Sequence, residues 1–162
     1  MENAIWSVIV GLPKEKKAMV ELLRSLIVFD GLSTNELILI ERTLHLRKYQ
    51  SDDIVFEEDM PGAGLYIVKD GEITIKKNIK GGTRINLAVI ASHSFFGELA
   101  LVDEMPRSAS AVASKESTLL ALGKPDLEKI KDRNPVLALK IISNIARLIA
   151  QRLVKANENI ES

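Results

Sequence analysis

In FFGELALVDEMPRSASAVA, residues 95–113, Gly97 and Glu98 stand just ahead of Arg107 inside a run of small and apolar side chains. An acid and a base in so apolar a setting need a reason, because a charge withdrawn from water must be compensated. Gly97 lets the backbone take a conformation closed to residues with a Cβ, and it lets a ligand approach the main chain. If ELAL turns helically, its first N–H groups form a seat for an anion. Arg107 can put a charge-assisted, two-pronged fork on the same anion. A carboxylate beside that seat repels an anion, so Glu98 makes sense only if it accepts a donor, either a ligand hydroxyl or Arg107 itself. The competing reading is a buried ion pair stapling two strands. Such a pair rarely adds stability over an apolar one, which makes a ligand role the better account.

Other chemistries lack their residues. The chain of 162 residues has no cysteine, which removes disulfides, thiolate metal sites and thiol catalysis together. Its two histidines, His45 and His93, stand far apart, so neither a metal-dependent barrel enzyme nor a haem sensor is expected, and no metal ligands are assigned. No activated serine, carboxylate dyad or phosphate-binding loop of the NTPase type appears, so the chain is read as a non-enzyme with no catalytic residues. Twenty-two basic residues balance twenty-two acidic ones, and no general pull toward nucleic acid or an anionic membrane is encoded. AIWSVIVGLP, residues 4–13, is too short for a membrane span and follows Glu2 rather than a basic stretch. A cytoplasmic protein is expected, with neither membrane nor nucleic acid as partner.

The elements that must position Glu98 and Arg107 follow from periodicity. Residues 1–45 read as an N-terminal helical segment. Pro13 opens one helix with Met19, Leu22, Leu23, Leu26 and Ile27 along a face, and Ser33 with Glu36 has the spacing of a capping box for a second. From 46 to 123 the period changes to two, with turn residues at the spacing of an all-β sandwich or barrel. GLYIVKDGEITIKK predicts a hairpin about Asp70-Gly71, with Leu65, Ile67, Ile73 and Ile75 on one buried face. Gly81-Gly82 marks the next turn. Ile85, Leu87 and Val89 alternate beyond it, and Ala109, Ala111 and Ala113 leave room inside. Residues 124–162 hold a short helix around PDLEKIK and a long one opened by Pro135. The long helix is apolar on two sides. Leu139, Ile142, Ala146, Ile149, Leu153, Ala156 and Ile160 follow a heptad rhythm, while Ile141, Ile145 and Leu148 form a second stripe. One side serves its own fold and the other a second copy, which predicts a homodimer through this helix; the alternative is a monomer that folds both stripes against the N-terminal helices. The fold class is therefore mainly β with flanking helices (α+β): one domain with a jelly-roll-like β-barrel, N-terminal helices and a long C-terminal helix.

FGELALVDEMPRSASAV, with Gly97, Glu98, Leu99, Ala100, Pro106, Arg107 and Ala109 in place, closely resembles the phosphate-binding cassette of the cyclic nucleotide-binding domain family. The resemblance runs from about Phe29 through GLYIVKDGEI to the end of the long helix. It implies a ligand, cAMP or cGMP with cAMP favoured, and no other cofactor. It also implies roles: Glu98 takes the ribose 2′-OH, Arg107 and the amides of Leu99 and Ala100 hold the cyclic phosphate, and Ser108 lies near phosphate or base. Gly97 and Ala109 complete the ligand-binding set. Asp52 and Asp59 depart from the family pattern, which has turn glycines there, but aspartate tolerates left-handed turns. The long helix uses the residues to about 160, leaving none for a DNA-reading helix, so a stand-alone sensor is expected. It would lid its pocket with the C-terminal helix and signal by conformational change to a separate effector protein. The alternative is a non-enzymatic interaction module with an empty or structural pocket, whose best support is the apolar AIWSVIVGL segment.

Overall fold

Residues 11–159 are described by the computed structural model. Residues 4–10 of the apolar N-terminal stretch, and Ile160 of the heptad series, lie outside them. Two compact units form: one from Leu44–Leu127, the other from the segments up to Thr43 and from Glu128 onward.

In the helical unit, α1 (Lys14–Arg24) follows Pro13, and a short 3-10 turn (Ile27–Phe29) leads to α2 (Thr34–Thr43). The capping box at α2 forms in both directions: the Glu36 carboxylate accepts from the Ser33 amide at 2.7 Å, and the Ser33 hydroxyl accepts from the Glu36 amide at 3.3 Å. At the other end of the chain α3 (Lys124–Arg133) runs across the boundary between the units into α4 (Pro135–Glu158). Pro135 opens α4, with the Asn134 side chain accepting from the Leu137 amide at 3.1 Å. Leu137, Ala138, Ile141 and Ile145 are buried on one stripe of α4, together with Asn144, which donates to the carbonyls of Val28 and Asp30 at 3.3 and 2.9 Å. The heptad stripe is different: Leu139 and Leu153 are 63% and 61% exposed. No described helix is long and apolar enough to cross a membrane.

The β unit is two four-stranded antiparallel sheets. The first has the order β1-β8-β3-β6, from β1 (His45–Tyr49), β3 (Gly64–Asp70), β6 (Phe95–Phe96) and β8 (Ser117–Gly123). The second has the order β2-β7-β4-β5, from β2 (Ile54–Phe56), β4 (Glu72–Asn78), β5 (Arg84–Ala91) and β7 (Ser110–Ala113). This is the strand order of a jelly roll built as a sandwich, and the sheets do not close into a barrel. Val68, Ile73, Phe96, Ala111, Ala113 and Leu119 make a buried cluster between them.

The turn at Asp70-Gly71 differs from the hairpin predicted for it. β3 and β4 belong to different sheets, so the dipeptide is a corner, and only Gly71 takes a positive φ. A side chain at Gly71 would strike Ser117, whose hydroxyl accepts from the Glu72 amide at 3.0 Å. Because the two strands do not pair, their apolar faces need not match. Val68 joins Ile73 in the cluster, while Leu65 and Ile67, buried as well, alternate to the other face of β3. Gly81-Gly82 does close a hairpin, between β4 and β5, and both glycines are left-handed. Leu87 is an extra residue in β5, since Ile75 pairs with Ala88 and Lys76 with Asn86. That bulge breaks the alternation, and Ile85, Leu87 and Val89 are all exposed on this edge strand.

Candidate functional site

Between β6 and β7 the backbone turns sharply at Gly97, whose φ of 78° is left-handed, and enters a 3-10 turn, Glu98–Leu101. Gly97 is required twice over. A Cβ there would be strained, and it would lie 2.8 Å from the Arg107 Nη1 and 3.1 Å from the Gly64 carbonyl oxygen. Gly62 permits the same packing from the other side, because a Cβ on it would lie 2.7 Å from that of Ala100.

Arg107 is only 7% exposed. Its Nη1 donates to the Gly97 carbonyl at 3.0 Å and its Nη2 to the Gly64 carbonyl at 2.8 Å, while its buried Nε has no hydrogen-bond partner among the described residues. Its guanidinium carbon lies 4.0 Å from the centroid of the Phe56 ring and 5.9 Å from that of Tyr66. Burial pulls the arginine below its ordinary pKa, and the acidic groups of Tyr66, Glu98 and Asp103 act in the opposite direction. The backbone of the arginine is pinned as well: its amide donates to the Met60 carbonyl at 2.8 Å, and its carbonyl accepts from the Asp59 amide at 2.9 Å.

The other residues singled out in the sequence take distinct places. Glu98 is 3% exposed, and Ala100 and Ala109 are buried. Leu99 is exposed, and the Ala100 amide bends back to the Gly97 carbonyl at 3.3 Å. Ser108 is exposed, with its carbonyl accepting from the Lys77 ammonium at 2.7 Å. Gly97, Glu98, Ala100 and Arg107 thus share one locality, and Ser108 follows the arginine at an exposed position. Asp52 and Asp59 both hold left-handed φ angles, of 70° and 66°. Of the histidines, His45 pairs with Asp126 at 3.0 Å, and His93 occupies a left-handed turn.

Residues that sequence reasoning missed are Gly64, Phe56, Tyr66 and Phe96. The three rings form a cluster with centroids 5.4 to 5.8 Å apart. Their spacing in sequence carries no period, since they come from β2, β3 and β6. The arrangement offers a buried guanidinium with donor capacity left over, beside a carboxylate and a turn of backbone amides. It suits an anion that also carries a hydroxyl.

Comparison with known proteins agrees with that chemistry. Residues 46–134 match the family model described as cyclic nucleotide-binding domain. The chain is 34% identical over 134 residues to the cyclic AMP receptor protein of Thermus thermophilus, a match covering 83% of this chain and 60% of that protein. Among solved structures, the N-terminal domain of a transcriptional regulator from Streptomyces coelicolor superposes with a TM-score of 0.74 at 31% identity, covering 85% of this chain and 95% of that one. The regulatory domain of Toxoplasma gondii PKA, solved with cAMP, gives a TM-score of 0.68 at 27% identity, covering 74% and 46%.

Proposed function

The chain belongs to the cyclic nucleotide-binding domain family, and we propose that it is a sensor that binds cAMP in preference to cGMP at Gly97, Glu98, Leu99, Ala100, Arg107, Ser108 and Ala109, without catalysing a reaction. One observation carries the reading: a guanidinium 7% exposed, whose Nε lacks an acceptor among the described residues, lies against the left-handed Gly97. A phosphodiester would supply that acceptor and the counter-charge together. The preference for cAMP rests on the similar proteins named for it.

Binding has a structural cost that couples it to motion. The Gly97 carbonyl accepts from both Arg107 and the Ala100 amide. A phosphate that engages those two donors takes them from Gly97, so the 3-10 turn must rearrange. Leu101, at its buried end, would carry the shift, and the more exposed Leu99 and Val102 would change surroundings. The nucleotide then selects whichever arrangement it binds better, and the signal passes to an effector protein. The exposed heptad stripe of α4 supports pairing of two protomers through that helix. No membrane or nucleic acid is assigned as partner, and the site is read as cytoplasmic.

Isothermal titration with cAMP and cGMP tests the assignment. The unaltered chain should bind cAMP more tightly, and Arg107→Ala should lose about 2–5 kcal/mol of that affinity while still folding. Undiminished binding in Arg107→Ala would remove the arginine from the site. Glu98→Gln should cost more for a ribose ligand than for its 2′-deoxy analogue; equal losses would deny Glu98 its hydroxyl.

A further inference from the structure

A buried arginine whose hydrogen bonds go to two neutral carbonyls still has its charge to accommodate. At Arg107 the negative charges of Glu98 and Asp103 contribute, and the face of Phe56 adds to them, 4.0 Å from the guanidinium carbon. An aromatic face carries partial negative charge, and its attraction for a cation grows when water is excluded. Phe56 comes to this position through a fault in its strand. Ile54 pairs with Val112 and Phe56 with the neighbouring Ala111, so Val55 is an extra residue, and both Val55 and Phe56 pack against the inter-sheet cluster. Opposite Phe56 stands Ala111, fully buried and small enough to leave space for the ring. Tyr66 and Phe96, stacked on each other 5.4 Å apart, each lie 5.8 Å from Phe56 and hold it in turn.

We infer that Phe56 is a positioning residue for nucleotide recognition: its ring face keeps the Arg107 guanidinium aimed before the ligand arrives. The carbonyls of Gly64 and Gly97 fix two nitrogens of the fork, and the ring face adds a third restraint at 4.0 Å from the guanidinium carbon. Without the ring the guanidinium keeps its bonds to Gly64 and Gly97 but is held less firmly, and the phosphate must first order it. This inference rests on the cyclic nucleotide reading of the site. It adds a residue outside the cassette that sets the affinity of the cassette's arginine.

Phe56→Leu keeps similar volume without a π face, and Phe56→Tyr keeps the face. A graded series replaces Phe56 by 4-fluoro, 3,5-difluoro and 3,4,5-trifluorophenylalanine, which drains the ring's negative face with little change of shape. Titrated with cAMP, Phe56→Leu should weaken binding about 3- to 30-fold. Phe56→Tyr should bind nearly as the parent does, and affinity should fall stepwise with each added fluorine while the melting temperature stays close to constant. Affinity flat across the fluorinated series, or melting temperature falling with affinity unchanged, overturns the inference and leaves Phe56 as packing alone. The parent chain distinguishes the two levels of argument. If it binds cAMP and the series is flat, only the role of Phe56 fails. If it binds neither cAMP nor cGMP, the nucleotide reading fails, and the ring is judged in the free protein by NMR. The Arg107 Hε resonance, assigned by its loss in Arg107→Lys, should be shifted by the ring current and should return toward its ordinary position in Phe56→Leu. An Hε resonance indifferent to Phe56→Leu also overturns the inference.

Discussion

At the scale of single residues, the cassette works by leaving things out. Gly97 has no side chain because Arg107 occupies the space one would need. Gly97→Ala should therefore destabilise the fold by about 1–3 kcal/mol, measured by chemical denaturation, and should weaken cAMP binding as well. Asp52 and Asp59 make the opposite case, since each holds a left-handed φ with a side chain attached. Exchange of either for glycine should add about 0.5–1 kcal/mol of stability, the left-handed cost less the entropy that glycine forfeits. A loss of stability in both would mean that the carboxylates contribute more than the turns cost. The burial of Glu98 and Arg107 was legible from their types and spacing, because an acid and a base in an apolar run are drawn in with the chain around them. Phe56 was not legible. Its approach to Arg107 depends on a bulge and on a strand pairing that no local pattern announces.

Among the elements, whatever depends on near neighbours in the chain could be read in advance. The capping box of α2, Pro135 at the start of α4 and the Gly81-Gly82 hairpin each depend on a few adjacent residues. The Asp70-Gly71 corner misled because a turn dipeptide fixes the direction of the chain without fixing which strand it will pair with. Glu36 shows how a local cap acquires a distant partner: its carboxylate also accepts from the Lys140 ammonium of α4 at 2.8 and 3.0 Å. Burial raises its pKa, but the bonds from Lys140 and Ser33 outweigh that and hold it below the ordinary carboxylate value of 4.5. A depressed pKa means that the folded protein favours the charged form. The stabilisation is therefore complete above the unfolded value and is lost as pH falls through the folded one. Glu36→Gln should lower stability by about 0.5–1 kcal/mol at neutral pH. The gap in melting temperature between parent and variant should close as the pH falls below 4.5 and through the lowered carboxylate range of the folded protein. A gap that persists in acid would assign the effect to shape and not to charge.

For the molecule as a whole, the two stripes of α4 separate what the fold uses from what it leaves over. Ile141 and Ile145 are buried within the helical unit, whereas Leu139 and Leu153 remain exposed about four turns apart along one seam. If that seam joins two protomers, Leu139→Glu with Leu153→Glu should convert a dimer to a monomer in sedimentation equilibrium, with helix content nearly unchanged. A parent chain that sediments as a monomer would refute the pairing. The extra residue in β5 bears on the same question from the other side. A regular outermost strand carrying Ile85 and Val89 would be a template on which further chains could add without limit, and the kink at Leu87 interrupts that template. Excision of Leu87 should thus produce fibrils that bind thioflavin, making one misfit amino acid the guard against runaway polymerisation.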